Sequence, residues 1–421
     1  MANSLAQHIN NAIDDFKRNI GFYCSYLLDN ALIAPDILQI TLTYRCNLKC
    51  RMCHIKNITV EEEIASEKVI SLIDEAAQWG IKELLLLGGE PFLHKNLMEF
   101  VRYAAAKNLK TTIVTNAVLI NELTAKEIAD SPLSQLVVSL DGSSEATHDS
   151  LRGVKGAYRK VIKAIKAVDK YKKKNRKKRF DPPFIIIPMT LMNNNLDEVL
   201  SYVRLGNRLP VSAVGFQPVV IDNADLRYND ITHPAWIPPA RLRLLDKMMD
   251  KLKRYKITKN ARQPVIGNTS LHLDAIKRYF RGELSQEYIK CYIGYTRVVI
   301  SPDGNTSICG ESIGNVNQQT MRQMWYSETA GQLRAKTRKC ARPCLQFCTV
   351  RPESEPENAL ALFVKNSGYC NCAPDARVLI VNRLQDKLRG LKDSAGACGD
   401  VLEKQIGNII SRINGIKEAL K

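Results

Sequence analysis

Short apolar runs of strand length alternate along this chain with longer segments whose apolar residues recur at helical intervals. The runs predict strands at 37–43, 83–87, 110–115, 135–141, 184–191 and 212–218. The periodic segments predict helices at 65–80, 95–107, 121–130, 155–171, 195–207 and 239–254. Strand followed by helix in steady succession is the pattern of βαβ units and a parallel sheet. Later, Val298 and Ile300, the turn residues Pro302-Asp303-Gly304-Asn305, and Thr306 to Ile308 read as a β-hairpin. At the front, Ile9, Ile13, Phe16 and Ile20 stand at helical spacing, so residues 1–36 read as an amphipathic helix, with packing on the core favoured over a membrane surface. Residues 376–421 alternate apolar and charged positions in helical fashion around a Gly/Ser break near 393–399, as one or two helices that cover the core or bind a partner. No internal repeat of solenoid length interrupts this order.

With 421 residues, 45% of them hydrophobic, the chain suggests a main globular domain with an appendage. No run of eighteen apolar residues occurs, so no transmembrane segment is expected, and no signal peptide is visible. Twelve cysteines at clustered short spacings then favour metal binding in a reducing compartment over disulfides. A cytoplasmic, oxygen-sensitive protein is expected. The net charge of +18 owes part of its excess to the run from Lys170 to Arg179. That run could face nucleic acid or anionic lipid. Isolated and without interleaved aromatics for base stacking, it reads better as a solvated loop completing a helix C-terminus. RNA stays a secondary partner.

The most specific chemistry lies just after the first strand, in Cys46, Cys50 and Cys53. Three soft thiolates at Cys-x3-Cys-x2-Cys spacing can hold an iron–sulfur cube and leave one iron open. A zinc site with His54 as fourth ligand, or unrelated core thiols, are the alternatives on spacing alone. After the second strand comes Gly88-Gly89-Glu90-Pro91, whose glycines let a backbone approach a ligand and whose carboxylate can accept from an ammonium group. Cysteine triad and glycine-rich turn, in this order and each at a strand end, resemble the signature of the radical S-adenosylmethionine (SAM) superfamily.

That resemblance implies a partial (β/α)6 TIM-like barrel of class α/β, open laterally to a large substrate. It implies that the open iron chelates the amino and carboxylate groups of SAM. Further strand ends match the family's cofactor contacts: Thr115 and Asn116 toward the ribose or the methionine carboxylate, Ser139 and Asp141 toward the ribose hydroxyls or the substrate, Arg152 pairing with the SAM carboxylate, and Gln217 at the adenine. Many relatives carry an aromatic residue before the third cysteine. Here it is Met52, which still offers a soft apolar surface.

A second group of cysteines begins at Cys291 and Cys309, which flank the hairpin and whose Cys-x12-Gly-x4-Cys pattern resembles the SPASM and shorter twitch extensions of the same superfamily. Cys340, Cys344, Cys348, Cys370 and Cys372 follow at spacings that depart from the usual SPASM order. With seven thiols, either one or two auxiliary 4Fe–4S clusters can be built, and Cys370 or Cys372 could individually be buried thiols. Cys24 and Cys398, without close cysteine neighbours, are expected to be buried thiols. The expected layout is an N-terminal helix over 1–36, the radical SAM core over 37–258, a small iron–sulfur domain of β-hairpin plus helices over 259–375, and a helical tail over 376–421. The front segment is too short for the winged-helix leader-binding domain of many peptide-modifying relatives.

The implied activity is reductive cleavage of SAM to a 5′-deoxyadenosyl radical that abstracts hydrogen from a peptide or small natural product, with auxiliary clusters assisting oxidation or cross-linking. The implied partners are that substrate and a flavodoxin or ferredoxin-type electron donor. Radical modification of RNA or lipid, and a non-catalytic iron–sulfur electron carrier, are the alternatives. No catalytic acid or base stands out.

Overall fold

Alternating burial along the strands, and Gly or Asn/Ser/Thr caps at the helix ends, set out the architecture of the computed structural model, which describes residues 2–53, 55, 58, 62–221, 232–258, 263–341, 344, 345 and 411. The order is α1 Ala2–Leu27, β1 Ile37–Thr41, α2 Ser66–Trp79, β2 Glu83–Leu87, α3 Leu97–Ala106, β3 Lys110–Thr115, α4 Glu122–Asp130, β4 Gln135–Val138, α5 Glu145–Arg152, α6 Ala157–Lys174, β5 Phe184–Leu191, α7 Val199–Arg208 and β6 Ala213–Pro218. Then come α8 Leu242–Thr258, β7 Val265–Ile266, α9 Ser270–Arg281, α10 Ile293–Thr296, β8 Arg297–Ile300, β9 Asn305–Ile308, β10 Glu311–Asn315, α11 Met321–Trp325 and α12 Glu328–Arg338.

The strands form one sheet in the order β10-β9-β8-β1-β2-β3-β4-β5-β6-β7, parallel from β8 to β7. β1 to β6 stand side by side in chain order, as six βα units require. One face of each strand is buried: Leu38, Ile40, Leu84, Leu86, Leu136, Ile185, Ile187, Val214 and Phe216 join the helices in one core. The alternate residues, among them Leu85, Leu87, Val137 and Ile186, are only half-buried. Helices cover the first face, so the second faces into a barrel that stays open between β7 and β8.

Three features go beyond the sequence reading. β7 adds a short strand at the β6 edge. β8 pairs in parallel with β1, Ile37 opposite Arg297 and Ile40 opposite Ile300, so the expected hairpin is continuous with the barrel sheet. An open parallel edge at β1 would leave a row of unpaired backbone groups, and β8 satisfies them. Helices α5 and α9 were not expected. Both carry legible signals: Ser144 caps the first and Gly153 ends it at φ 70°, while Thr269 caps the second and Gly282 ends it at φ 71°.

Helix α1 forms as expected and buries Ile13, Phe16, Ile20, Phe22 and Cys24. It packs on α10 through Tyr26, whose ring lies 5.2 Å from Tyr292 and 6.0 Å from Tyr295. Arg18 pairs with Asp36 just ahead of β1, which places the helix at the amino ends of the strands. Burial pushes the Cys24 thiol up to about 12, in keeping with an inert core residue. Among the described residues no helix is long and apolar enough to cross a membrane. The tail over 376–421 lies outside the described residues apart from Ser411.

Three cations of the basic run, which begins in the last turn of α6, are engaged by backbone carbonyls. Lys172 is buried and donates to the carbonyls of Asp181 (2.7 Å) and Pro183 (2.9 Å). Lys177 donates to Ala129 O at 2.8 Å and Arg179 to Leu209 O at 2.9 Å. These cations complete helix ends and loops instead of lining a free surface.

Two buried histidines make the fold sensitive to acid. Burial holds His148 and His272 down to about 4, the Arg152 charge adding to the effect at His148. In the unfolded chain both titrate near the ordinary 6.5. Their contribution is therefore whole above about pH 6.5 and is lost as pH falls toward 4, at roughly 1.4 kcal/mol per pH unit for each proton taken up. Urea unfolding at pH 7 and pH 5 should show this fall, and a His272→Gln variant should show a shallower one. Equal slopes in the two proteins would contradict the assignment.

Candidate cluster and cofactor site

Past β1 the chain crosses into the loop that carries Cys46, Cys50 and Cys53, and backbone contacts clamp this loop from two sides. On one side Gly89 N donates to Thr43 O (2.7 Å) and Glu90 N to Arg45 O (2.9 Å). A Cβ on Gly88 would stand 2.6 Å from Thr43 O, and one on Gly89 only 2.3 Å from Arg45 O, so the glycine pair is required by the loop itself. On the other side Lys49 N donates to Arg152 O (3.3 Å) and Arg51 N to Leu151 O (3.0 Å). There Gly153 adopts φ +70°, and a Cβ on it would lie 2.4 Å from Lys49 O. Beneath, Leu48 and Cys50 pack on Ala157, with Met52, Cys53, Val118 and Val154 partly buried against them.

The thiols differ in setting: Cys46 is exposed, Cys50 buried and Cys53 half-buried. Cys46 Sγ accepts from Leu48 N at 3.4 Å and from Asn116 Nδ2 at 3.8 Å. Cys50 Sγ accepts from Arg152 Nη1 at 3.7 Å. Burial raises both thiols above their ordinary value, and at Cys50 the Arg152 guanidinium pulls in the opposite direction. Among the described residues no three His, Cys, Asp or Glu side chains are drawn together closely enough to hold a metal. His54, the alternative zinc ligand, lies outside the described residues.

Glu90 is fully enclosed. It accepts from Thr115 Oγ1 (2.7 Å), Asn116 N (2.8 Å) and Phe92 N (3.2 Å), and burial raises its carboxyl despite these bonds. Where the sequence suggested an ammonium contact, the structure places a latch between the ends of β2 and β3. Asn116 extends it, donating to Asn47 Oδ1 at 2.9 Å beside Cys46. Pro91 opens a 3-10 turn, Pro91–Leu93, that Glu90 caps.

At the end of β4 the buried Asp141 pairs with Arg152 Nη2 at 2.6 Å and accepts from Thr190 N at 2.9 Å. Burial opposes the Arg152 charge, but Asp141 and Cys50 beside it hold its pKa above the ordinary value. Arg152 Nε is buried without a protein partner, a donor left for a ligand. Ser139 and Gln217 are half-buried at the ends of β4 and β6, Gln217 in register with Thr190. The loop thiols, Gly88 to Pro91, Thr115, Asn116, Ser139, Asp141, Arg152 and Gln217 thus gather at the carboxyl ends of the parallel strands, where this architecture builds its sites. Sequence reasoning missed Asn195, which donates to the carbonyls of Asp141 (2.9 Å) and Thr190 (2.8 Å), and His148, whose Nδ1 accepts from Asp141 N at 3.1 Å. Asn47, next to Cys46, could have been suspected from its position alone.

In the second cysteine group, Cys291 is buried ahead of α10 and Cys309 follows β9 at φ 52°. A Cβ on Gly294 would lie 3.3 Å from Ile308 Cγ2 and 3.0 Å from Arg334 Cγ, so the segments leading from Cys291, to Cys309 and to Cys340 converge. Cys340 and Cys344 are half-buried. Cys348, Cys370, Cys372 and Cys398 lie outside the described residues.

Compared with known proteins, residues 40–205 match the Radical SAM superfamily and residues 291–349 match an iron–sulfur cluster-binding domain, SPASM. The chain is 38% identical over 143 residues to Fe-coproporphyrin III synthase of Methanosarcina barkeri, a match covering 34% of this chain and 36% of that protein. It is 29% identical over 178 residues to the AdoMet-dependent heme synthase of the same organism, covering 42% of this chain and 48% of that protein. The chain thus spans between a third and a half of the length of these two relatives. A longer match, 24% over 316 residues, runs to a PqqA peptide cyclase of Rhizobium meliloti, covering 71% of this chain and 76% of that one. Among solved structures, Streptococcus suis SuiB bound to S-adenosylmethionine shares the fold with a TM-score of 0.56 at 21% identity, over 72% of this chain and 68% of that one. Native anSMEcpe with bound AdoMet does so with a TM-score of 0.55 at 17% identity, over 83% of this chain and 99% of that one.

The clamp yields a matched pair of variants. Gly153 and Gly156 both have φ in the left-handed region, but nothing lies within 4 Å of a Cβ on Gly156. Gly156→Ala should therefore cost about 1 kcal/mol of stability from backbone strain. Gly153→Ala must in addition push the loop from Lys49 O, and should clearly lower the iron retained after anaerobic reconstitution. Equal iron in the two variants would show that the contact does not hold the loop.

Proposed function

Since the chain belongs to the radical SAM superfamily and carries an iron–sulfur cluster-binding domain of the SPASM type, we propose that it uses 4Fe–4S clusters and SAM to modify a peptide by hydrogen abstraction. The observation that carries the reading is the loop of Cys46, Cys50 and Cys53, clamped by backbone bonds at the carboxyl ends of the strands with Arg152 Nη1 on Cys50 Sγ. Three soft donors suit an iron–sulfur cube with one open iron. A cluster held by Cys46, Cys50 and Cys53 would, when reduced, supply the one electron that reductive cleavage of bound SAM needs for hydrogen abstraction.

The chain's own residues then have these roles. Cys46, Cys50 and Cys53 hold the cluster. Arg152 offers its unpartnered Nε to the SAM carboxylate while Asp141 fixes the guanidinium plane. Glu90 keeps Thr115 and Asn116 at the rim, and so acts by position and not by direct contact. Ser139 and Gln217, half-buried at the ends of β4 and β6 with β5 between them, are available to the ribose and the adenine. Cys291, Cys309, Cys340 and Cys344, with the later cysteines, are the pool for one or two auxiliary clusters. An external one-electron donor of the flavodoxin or ferredoxin type supplies the reducing equivalent.

A peptide is favoured because the longer matches run to peptide-acting proteins: the PqqA peptide cyclase, SuiB bound to the precursor peptide SuiA, and anSMEcpe with the Cp18Cys peptide. The 38% identity to Fe-coproporphyrin III synthase supports a small-molecule substrate as the second reading. RNA stays a secondary reading, since Lys172, Lys177 and Arg179 of the basic run are turned to backbone carbonyls.

Replacing Cys46, Cys50 and Cys53 together by alanine should abolish 5′-deoxyadenosine formation under dithionite while iron remains at the second site. Continued cleavage by this variant would refute the assignment, and zinc in place of iron would make the C-terminal domain structural. In the wild type, about eight irons per chain would indicate one auxiliary cluster and about twelve would indicate two. Arg152→Ala should weaken SAM binding by about 1.5–3 kcal/mol, the range for a hydrogen bond to a charged group. Unchanged affinity in calorimetry would remove Arg152 from the SAM site.

A further inference from the structure

A basic strip runs from the cluster loop along the outer face of α6. It starts at the exposed Lys49 and Arg51 between the candidate ligands, passes Lys155, and continues through Lys160, Lys163 and Lys166. The last three fall at helical intervals and lie on one face. Some cations on this helix are compensated, Arg159 by Glu145 at 2.8 Å and Lys170 by Glu122 at 2.8 Å. No ion pair is formed by Lys160, Lys163 or Lys166 among the described residues. They border two adjoining grooves of about 450 and 400 Å³ between α4 and α6. The groove wall includes Val118 and, at its rim, Leu123, whose 80% exposure is high for so large an apolar side chain.

This strip meets the candidate cluster. Val118, in the groove wall, packs with Met52, Cys53 and Val154 on the small cluster of Leu48, Cys50 and Ala157, so the groove borders the same side-chain cluster that holds two of the thiols. We propose that the α4–α6 face is the docking site of a small acidic one-electron donor protein. The inference rests on the radical SAM reading above. The donor gives up one electron and the cluster takes it up, so charge transfer needs a short path and an orienting field instead of a deep pocket. Lys160 and Lys163 beside the exposed Leu123, with Lys166 on the adjoining groove, supply the field and an apolar anchor. Nucleic acid fits less well: Tyr171 lies outside both grooves and its ring already carries the ammonium groups of Lys170 and Lys174, 5.1 and 5.2 Å from its centre.

The test uses the reconstituted full chain and an acidic bacterial flavodoxin as probe. Affinity for the oxidised flavodoxin, measured by calorimetry, should fall as salt is raised. The variant K160E/K163E/K166E should bind at least about tenfold more weakly. Its 5′-deoxyadenosine formation should drop with flavodoxin hydroquinone as reductant and stay at the wild-type level with dithionite. R243E/K247E, on exposed positions of α8, should change neither quantity. Undiminished flavodoxin binding and flavodoxin-driven turnover in the triple variant would overturn the docking site. So would loss of binding to an RNA oligonucleotide with flavodoxin binding intact. If dithionite elicits no SAM cleavage from the wild type while the charge reversal still weakens flavodoxin, the catalytic reading fails and the docking site stands.

Discussion

The approach of two backbones to within van der Waals limits on either side of one loop is the constraint on which the site depends. The loop from Thr43 to Arg51 is pressed against Gly88 and Gly89 on one side and against the end of α5 at Gly153 on the other. No side chain larger than hydrogen fits at those three positions, and the backbone bonds there leave the loop one path. Those bonds also decide what the glycine turn can do. Its N–H groups at Gly89 and Glu90 are taken by Thr43 and Arg45, so the turn serves the loop before it can serve a ligand.

A network of buried charge rests on that frame. Asp141, at the end of β4, is tied to β5 through Thr190 and to α5 through Arg152, and Arg152 reaches Cys50. A buried guanidinium next to a thiol carries its own desolvation penalty, which the Asp141 carboxylate offsets. The arrangement lowers the cost of a thiolate at Cys50 relative to burial alone, which is the state a metal requires. Glu90 has the opposite character: it faces backbone and hydroxyl donors, and burial favours its neutral form. The two buried carboxylates thus divide the work, one countering a cation and the other joining strands.

The sequence made the six βα units legible because their periodicities are strong and their caps conventional. The strands 83–87, 110–115 and 184–191 coincide with β2, β3 and β5. The cysteine loop and the glycine turn were legible for the same reason: each sits at the end of an apolar run. What could not be read was the partner of each polar residue. Glu90 looked like a ligand contact because a carboxylate after two glycines carries no local sign that Thr115 and Asn116 will enclose it. Asn195 and Thr190 give no sign in their own surroundings that they fix Asp141. Helix α5 was hidden by its polar composition, although Ser144 and Gly153 bracket it. The parallel pairing of β8 with β1 joins residues at opposite ends of the described chain, and no local pattern encodes it.

That pairing governs how the two cysteine groups can work together. β8 runs parallel to β1, so its end and the turn after it lie level with the cluster loop, where Ile64 N donates to Pro302 O at 2.7 Å. β9 returns antiparallel, and Cys309 follows it at the level where β8 and β1 begin. Four strand residues at about 3.3 Å each put roughly 13 Å between that level and the loop carrying Cys46, Cys50 and Cys53. A cluster held by Cys291 and Cys309 would therefore lie about a strand's length from one held by Cys46, Cys50 and Cys53, on the same sheet. Such a separation is too long for one substrate atom to meet both clusters. Passing an electron through the intervening protein needs no such contact. An auxiliary cluster at that distance would suit the expected help in oxidation by taking up an electron, and not by touching the reacting atom.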